Sequence, residues 1–394
     1  MTDRMALTYL FLIILSFSIV SSAHYIVGKV EDALDSTSPN GRTVVLWNPA
    51  NGISDNLTDI VGTSGNSGTN NTYMIDCELL STPCQVNDIL NITLLDDGTG
   101  YFAKSPVQVT VTGAGFDIAP NITMNSPPSL ENLSVDDSFN SPANEIDLSP
   151  ATTTEVRCTG VIVDYDGIST LSSVSAEFYS VNSSFFGDSD DKNFHYTNNS
   201  CEINTSYGNS NQGSLNCTFQ VQYFANAETW ACTVNLTDSA GASSNFSDQT
   251  KINSLLALGV NDSIDFGEVA AQNVSNETVI EVVNYGNVDV NLSLSGYGST
   301  EGDGYSLVCA VGAIPVNETK YNLTSSNPGQ MTYSQLNQFY TNLSSNPVTE
   351  KFKIPQRQDD TTNNAKNNTY WRAYTPKDVA GSCTGNIVFG AVQS

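Results

Sequence analysis

The sequence predicts an all-β protein: tandem β-sandwich, immunoglobulin-like domains behind an N-terminal signal peptide, with one short helix in the last domain. Three observations carry this expectation. Apolar residues fall in short, β-branched runs bounded by Gly, Asn, Asp and Pro, as in "TVVLW" (Thr43–Trp47). Strict alternation in "VQVTVTG" (Val107–Gly113) and "DVNLSLSG" (Asp289–Gly296) lets every second side chain face a core. Turn residues separate the runs at the spacing of sandwiches, without the helical stretches of α/β units.

The chain opens on Arg4 and the apolar run Met5–Val20, followed by the small residues Ser21 and Ala23. That is the order of a signal peptide cut after Ala23, which makes His24 the new N-terminus. An uncleaved anchor is the alternative, although the run is short for a span of ~20 residues. Later apolar runs are all short, so no internal membrane span is expected.

The strand runs then follow in order: "HYIVGKV" (His24–Val30), Thr43–Trp47, "NITLL" (Asn91–Leu95) and Val107–Gly113 come first. "VRCTGVIVD" (Val156–Asp164), "CTFQVQYF" (Cys217–Phe224) and "WACTVNLTD" (Trp230–Asp238) occupy the middle. "TVIEVVNYG" (Thr278–Gly286), Asp289–Gly296, "KFKI" (Lys351–Ile354) and "GNIVFGAV" (Gly385–Val392) close the chain. Helical spacing of Leu336, Phe339, Tyr340 and Leu343 predicts a short helix within Met331–Leu343. The last strand either completes its own sandwich or adds to the open edge of a neighbour.

Two polar stretches divide the chain. Ala119–Leu133 contains Pro127-Pro128, which breaks pairing and stiffens a linker. The second, Ser247–Leu255, is weaker. The resulting division is signal peptide 1–23 and domains 24–125, 126–252 and 253–394. Cysteines then partition two, four and two, as internally closed domains require. Cys77–Cys84 and Cys309–Cys383 are thereby expected, while the middle set of four allows three connectivities. No C-x-x-C spacing indicates zinc, and an even count in an exported chain reads as disulfides. Each domain has one tryptophan (Trp47, Trp230, Trp371), read as one core plug per sandwich.

Composition excludes several functions. The 41 acidic and 14 basic residues give a formal charge of −27. A chain this poor in cations cannot neutralise phosphates, so nucleic-acid binding is excluded. Nineteen Asn-x-Ser/Thr triplets stand where random order gives roughly nine. They lie at Asn56, Asn70, Asn91, Asn121, Asn132, Asn182, Asn198, Asn204, Asn216, Asn235, Asn245, Asn261, Asn273, Asn276, Asn291, Asn317, Asn322, Asn342 and Asn367, and the excess predicts glycan acceptors on solvent-facing positions.

Catalytic constellations are sparse. An N-terminal His24 with a second histidine could hold copper, but the other histidine, His195, sits beyond the proline linker. His24 also starts a strand, at a frayed end. Neither H-E-x-x-H nor G-x-S-x-G is present. Paired carboxylates of the glycosidase kind remain open to so acidic a chain. The candidate metal ligands are Asp164 and Asp166 in "DYDG" and Asp188, Asp190 and Asp191 in "GDSDDKN", hard oxygen donors suited to calcium. Solvated turns account for the same residues without an ion.

Residues 24–125, with "YIVGKVEDA", "NGRTVVLWN", "TYMID" and "VNDILNITLLDDGTGYFAKSPVQVTV", resemble the carboxypeptidase-regulatory-like, transthyretin-type sandwich. That resemblance implies a structural module without catalytic residues. In the middle segment, "TEVRCTGVIVDYDG" and "WACTVNLTDSAG" look like the paired core strands of an immunoglobulin-like or PKD-like domain. The resemblance implies a Cys158–Cys232 bridge between sheets, with Trp230 on the same side as Cys232, and a Cys201–Cys217 hairpin closure. The pattern departs in lacking a tyrosine two before the second cysteine.

"SIDFGEVAAQNVSNETVIEVVNYGNVDVNLSLSG" and "TYWRAYTPKDVAGSCTGNIVFGAV" look like the opening and final strands of sandwich domains in archaeal cell-surface proteins, which the whole chain resembles. The expectation is an extracellular, cell-surface structural or adhesive glycoprotein of a surface layer or filament, without enzyme activity. Its partners would be itself, other surface proteins or glycans, with calcium the one candidate cofactor. The alternative is a carbohydrate-active or copper-dependent secreted enzyme.

Overall fold

A computed structural model describes residues 23–137, 144–358 and 360–394; the predicted leader, apart from Ala23, lies outside these residues. Its 27 strands form several β-sandwiches around three hydrophobic clusters, each drawn from one continuous stretch of chain.

The first stretch contains β1 (Tyr25–Lys29), β2 (Thr43–Trp47), β3 (Asn56–Ile60), β4 (Thr72–Asp76), β5 (Ile89–Leu94), β6 (Val107–Thr110) and β7 (Phe116–Ile118). Sheet β4-β1-β7 faces sheet β3-β2-β5-β6 across Ile26, Leu46, Tyr73, Leu90 and Ile92. Period-two alternation explains one departure from the sequence reading. Val44 and Leu46 of β2 point into the core, so Trp47 turns outward and is only half-buried. The fully buried Tyr73 provides the large core ring instead.

The middle stretch contains β8 (Ser129–Asp137), β9 (Glu145–Ile146), β10 (Thr153–Val163), β11 (Leu171–Ser180) and β12 (His195–Asn198). It continues with β13 (Glu202–Asn204), β14 (Gln212–Gln222), β15 (Thr229–Asp238) and β16 (Ser243–Ile252). Sheet β13-β14-β10-β8 packs on sheet β12-β11-β15-β16-β9. Cys158 on β10 and Cys232 on β15 join the two sheets, with Cα atoms 6.5 Å apart. Buried Trp230 stacks on Phe178 of β11 at 4.8 Å beside this bridge. Cys201–Cys217 ties the β13–β14 hairpin.

The last stretch contains β17 (Leu258–Gly259), β18 (Thr278–Asn284), β19 (Val290–Tyr297), β20 (Tyr305–Val311), β21 (Ala313–Pro315) and β22 (Thr319–Asn322). It ends with β23 (Thr341–Asn342), β24 (Val348–Ile354), β25 (Lys366–Ala373), β26 (Ala380–Thr384) and β27 (Asn386–Gln393). Sheets β17-β18-β25-β22-β23 and β24-β19-β27 enclose Val282, Leu292, Tyr321 and Trp371, and β21-β20-β26 extends one end. Cys309 and Cys383 face each other across β20 and β26 and are bonded; Cys77–Cys84 closes a tight loop in the first stretch.

Among the described residues one α-helix, α1 (Tyr333–Phe339), lies between β22 and β23. A capping box starts it: the Thr332 hydroxyl accepts from the Gln335 N–H, and the Gln335 side chain accepts from the Thr332 N–H. The helix is shorter than the predicted span. Tyr340 leaves it for extended backbone (φ −119°, ψ 143°) so that Thr341 can pair with Tyr321.

The expected linkers are short and buried. Residues 119–124 belong to the first core through Ala119, Ile122 and Met124, and β8 already begins at Ser129. Between them Asn125 and Ser126 are buried. The Asn125 amide donates to Asp238 Oδ2 (2.8 Å), the Ser126 N–H donates to Asp166 Oδ2 (2.9 Å), and Lys104 Nζ reaches Asp166 Oδ1 (2.7 Å). After Ile252 the second junction centres on buried Asn287. Its amide donates to the carbonyls of Ala225 and Asn253, both at 3.0 Å, and its Oδ1 accepts from the Leu255 N–H at 2.6 Å. Gln356 Nε2 donates to the Phe224 carbonyl (2.8 Å) and to Asn226 Oδ1 (2.9 Å). Gly286 admits this contact, because a Cβ there would stand 2.1 Å from the Leu255 carbonyl oxygen.

Loss of the inter-sheet bridge should cost most in the middle stretch. Replacing Cys158 and Cys232 together by Ala reopens a 74-residue loop and should lower stability by about 4 kcal/mol in the chain-entropy account. Denaturant unfolding of the purified double variant measures this.

Candidate functional site

The two histidines lie in different cores. His24 is buried, with Nε2 2.7 Å from Asp117 Oδ2 and its backbone N–H donating to Asp76 Oδ1 at 3.0 Å. It is therefore pinned rather than frayed. A cut after Ala23 would set the new ammonium group against the Asp76 carboxylate. His195 is fully buried on β12, its Nδ1 2.8 Å from Ser184 Oγ and its Nε2 3.4 Å from Glu177 Oε2. The geometry does not bring them onto one ion, as a copper site would require.

Asp117 also accepts from the Thr112 N–H and hydroxyl, each at 2.7 Å. Burial pushes its carboxyl up, but the two Thr112 donors and His24 outweigh that and hold it below the ordinary carboxylate range.

The five candidate calcium ligands have protein partners or separate surroundings. Asp164 accepts from the Asp166 N–H (2.9 Å) and the Thr170 hydroxyl (2.8 Å), ordering the turn after β10. Asp166 is spent on Lys104 and Ser126 at the first junction. Asp188 accepts from the Phe185 N–H (2.8 Å), and Asp191 from the Asn193 N–H (2.8 Å). Asp190 and Asp191 line a shallow cavity with Lys192, Asn193, Gln358 and Asp360. Among the described residues no three His, Cys, Asp or Glu side chains gather in a way that could hold a metal ion.

None of the nineteen triplet asparagines is buried; thirteen are exposed and six half-buried. The buried asparagines (Asn48, Asn125, Asn193, Asn284, Asn287) all lie outside such triplets and serve as internal hydrogen-bond partners.

The last stretch holds the most open geometry. Its opening segment, read as a strand, is unpaired: Val260–Ala270 lies outside every sheet. Gly267, with φ +68°, and the Asp265 carboxylate accepting from its N–H (2.8 Å) kink the backbone away from a ladder. Two adjoining cavities of about 320 and 590 Å³ separate this segment from β20, β26 and β27, with Ile264, Phe266, Leu307, Ile387 and Phe389 in the walls. β27 stays in its own sheet, paired with β19 from Asn386↔Tyr297 to Gln393↔Val290. β27 thus completes its own sandwich, the first of the two expected arrangements.

No family profile matches this sequence, and no curated protein matches it at a significant level. Solved structures overlap it loosely. The major pilin BcpA of Bacillus cereus matches at 10% identity and TM-score 0.29, over 87% of this chain and 96% of that one. The full-length major pilin SpaD of Corynebacterium diphtheriae matches at 10% identity and TM-score 0.30, over 92% and 90%. A DUF3823 family protein of Bacteroides ovatus matches at 8% identity and TM-score 0.23, over 59% and 98%. These are distant likenesses between β-sandwich chains, and none reaches a TM-score at which role could be carried across.

Replacing His24 by Ala leaves Asp117 short of a buried partner and should cost about 1–3 kcal/mol, read by thermal melting. The depressed Asp117 contributes stability that is present above the unfolded carboxylate pKa and lost as pH falls through its lower folded value. Asp117→Asn should therefore start less stable at neutral pH and lose less on acidification than the parent. Calcium or a chelator should leave both melting curves unmoved; calcium stabilisation abolished by Asp190→Asn would restore the calcium reading.

Proposed function

We propose that this chain is an exported cell-surface glycoprotein with a structural or adhesive role, a subunit of a surface layer or filament. It is built of sandwich units at 24–125, 126–252 and 253–394. The observation that carries this reading is the pair of junctions, where buried amides and carboxylates hold neighbouring units through directional hydrogen bonds. Such pins resist hinge motion, which suits a unit that transmits position along an array. Four disulfides within the units and acceptor asparagines kept at the surface fit an extracellular setting. The reading is non-catalytic, and the separate engagement of His24 and His195 supports it. No described helix is long and apolar enough to cross a membrane. Partners on this reading are copies of the chain, other surface proteins or glycans.

Electron microscopy of the source cell surface and of the concentrated exported protein tests this. Ordered arrays or filaments that bear the protein are expected; a monomer released freely into the medium and monomeric at every concentration contradicts the reading. The sugar map has its own expectation. Asn235 and Asn245 are cross-strand partners, and the Asn235 amide donates to Asn245 Oδ1 at 2.6 Å. Glycopeptide mass spectrometry should find sugar on one of this pair in any molecule, never on both.

A further inference from the structure

β7 and β27 are edge strands with a neighbour on one side only. In β27 the Ser394 N–H donates to the Asp289 carbonyl (3.1 Å), so the even-numbered residues turn their backbones toward β19. Ile387, Phe389, Ala391 and Gln393 turn theirs outward. In β7 the Tyr25 N–H donates to the Gly115 carbonyl (3.1 Å) and the Ala119 N–H to the Val27 carbonyl (2.8 Å). The backbones of Phe116 and Ile118 therefore face away from β1.

Apart from the Val260–Phe266 segment, which stands across a cavity from Asn386–Phe389 of β27, both edges lack the usual protection against pairing. From Thr384 to Ser394 no side chain is charged. The opposite edge of the same sheet, β24, carries Lys351 and Lys353. On β7 the lone charge, Asp117, points inward to His24 and Thr112. Both edges also expose large apolar side chains: Phe116 (57%) and Ile118 (75%) on β7, Val388 (41%) and Val392 (37%) on β27. Between the two valines lies Gly390, which leaves a notch on that face of the sheet.

We infer that β7 of one copy pairs with β27 of a second copy, joining the first sandwich of one molecule to the last sandwich of the next. The inference rests on the reading of the chain as a self-assembling subunit. A net charge of −27 makes copies repel over most of their surface. Strand addition at two edges without an outward-pointing charge adds little to that repulsion, and there unpaired N–H and C=O groups find partners. Across the seam Phe116 covers Gly390 and packs between Val388 and Val392, the apolar cross-strand arrangement that stabilises sheets. The two patches differ, so the contact is head-to-tail, and it propagates rather than closes.

Two double variants of the full exported chain, sugars retained, test the seam: Val388→Lys/Val392→Lys and Phe116→Lys/Ile118→Lys. Circular dichroism and intact disulfides check that each folds. Sedimentation velocity should show the parent forming a concentration-dependent series and each variant monomeric. The added lysines lower the net negative charge, which alone would aid association, so the loss would report the edge. Mixed in equal amounts, the variants should form one-to-one dimers and nothing larger, since each keeps the edge the other lacks. Thr349→Lys on β24 should assemble as the parent does. A parent that assembles alongside variants that still assemble overturns the seam but leaves the functional reading standing. Pairing by the Phe116/Ile118 variant alone would indicate a two-fold β27 contact and overturn it too. A parent monomeric at all concentrations overturns both.

Discussion

Scarcity of cations is the constraint on which this structure depends. With 41 acidic side chains against 14 basic ones, most carboxylates cannot be neutralised by a lysine or arginine. The fold gives them backbone N–H groups and hydroxyls instead. Asp59 accepts from the N–H groups of Asn66 (3.0 Å) and Met74 (2.8 Å), and Asp55 from those of Ser81 (2.8 Å) and Thr82 (3.0 Å). Asp303 gathers the N–H groups of Gly298, Ser299, Thr300 and Tyr305 and is held well below the usual carboxylate range, chiefly by the backbone donors of Tyr305 and Ser299. Each such carboxylate organises a turn.

The same economy shapes the junctions. An isolated ion pair between sandwiches would need cations the chain hardly has; Lys104 provides one, on Asp166. Most of the other polar contacts there are made by neutral amides. Asn287, Gln356, Asn193 and Asn125 place donors on carbonyl or carboxylate oxygens of the adjoining unit. Buried amides are costly to leave unpaired, so each favours one relative placement of its two units. Tyr223 against Tyr285 (5.8 Å between ring centres) and the Arg357 guanidinium over Phe224 (4.8 Å) fill the remaining space at the second junction. The triplet asparagines stay at the surface while the junction asparagines, outside such triplets, are buried.

The fold class was legible because period-two alternation survives in strands such as β6 and β19, where solvent-facing positions are Thr, Gln, Ser or Asn. β11 was harder to read: its buried positions are Val174, Ala176, Phe178 and Ser180, a thin apolar signal that only packing against β15 makes central. The helix was overextended because Tyr340 and Leu343 are buried at helical spacing from Leu336 while lying on extended chain. A count of tryptophans misplaces Trp47 because it ignores which face of β2 that side chain occupies. At the candidate site, the separation of His24 from His195 followed from the proline linker, but the fixing of His24 by Asp117, 93 residues away, did not. Contacts that cross from one strand end to another sheet leave no periodic trace. The unpaired state of Val260–Ala270 was equally hidden, since its composition suits a strand and only Gly267 hints at the kink.

Amide and carboxylate contacts between neighbouring sandwiches imply that each junction favours one relative placement. Small-angle X-ray scattering of dilute exported protein, compared with the Asn287→Ala/Gln356→Ala variant, tests it most directly. A single rigid arrangement is expected to fit the parent curve, and the variant to broaden toward units moving independently about the second junction with each sandwich still folded. A parent curve that only an ensemble of independently moving units can fit, unchanged in the variant, would contradict it.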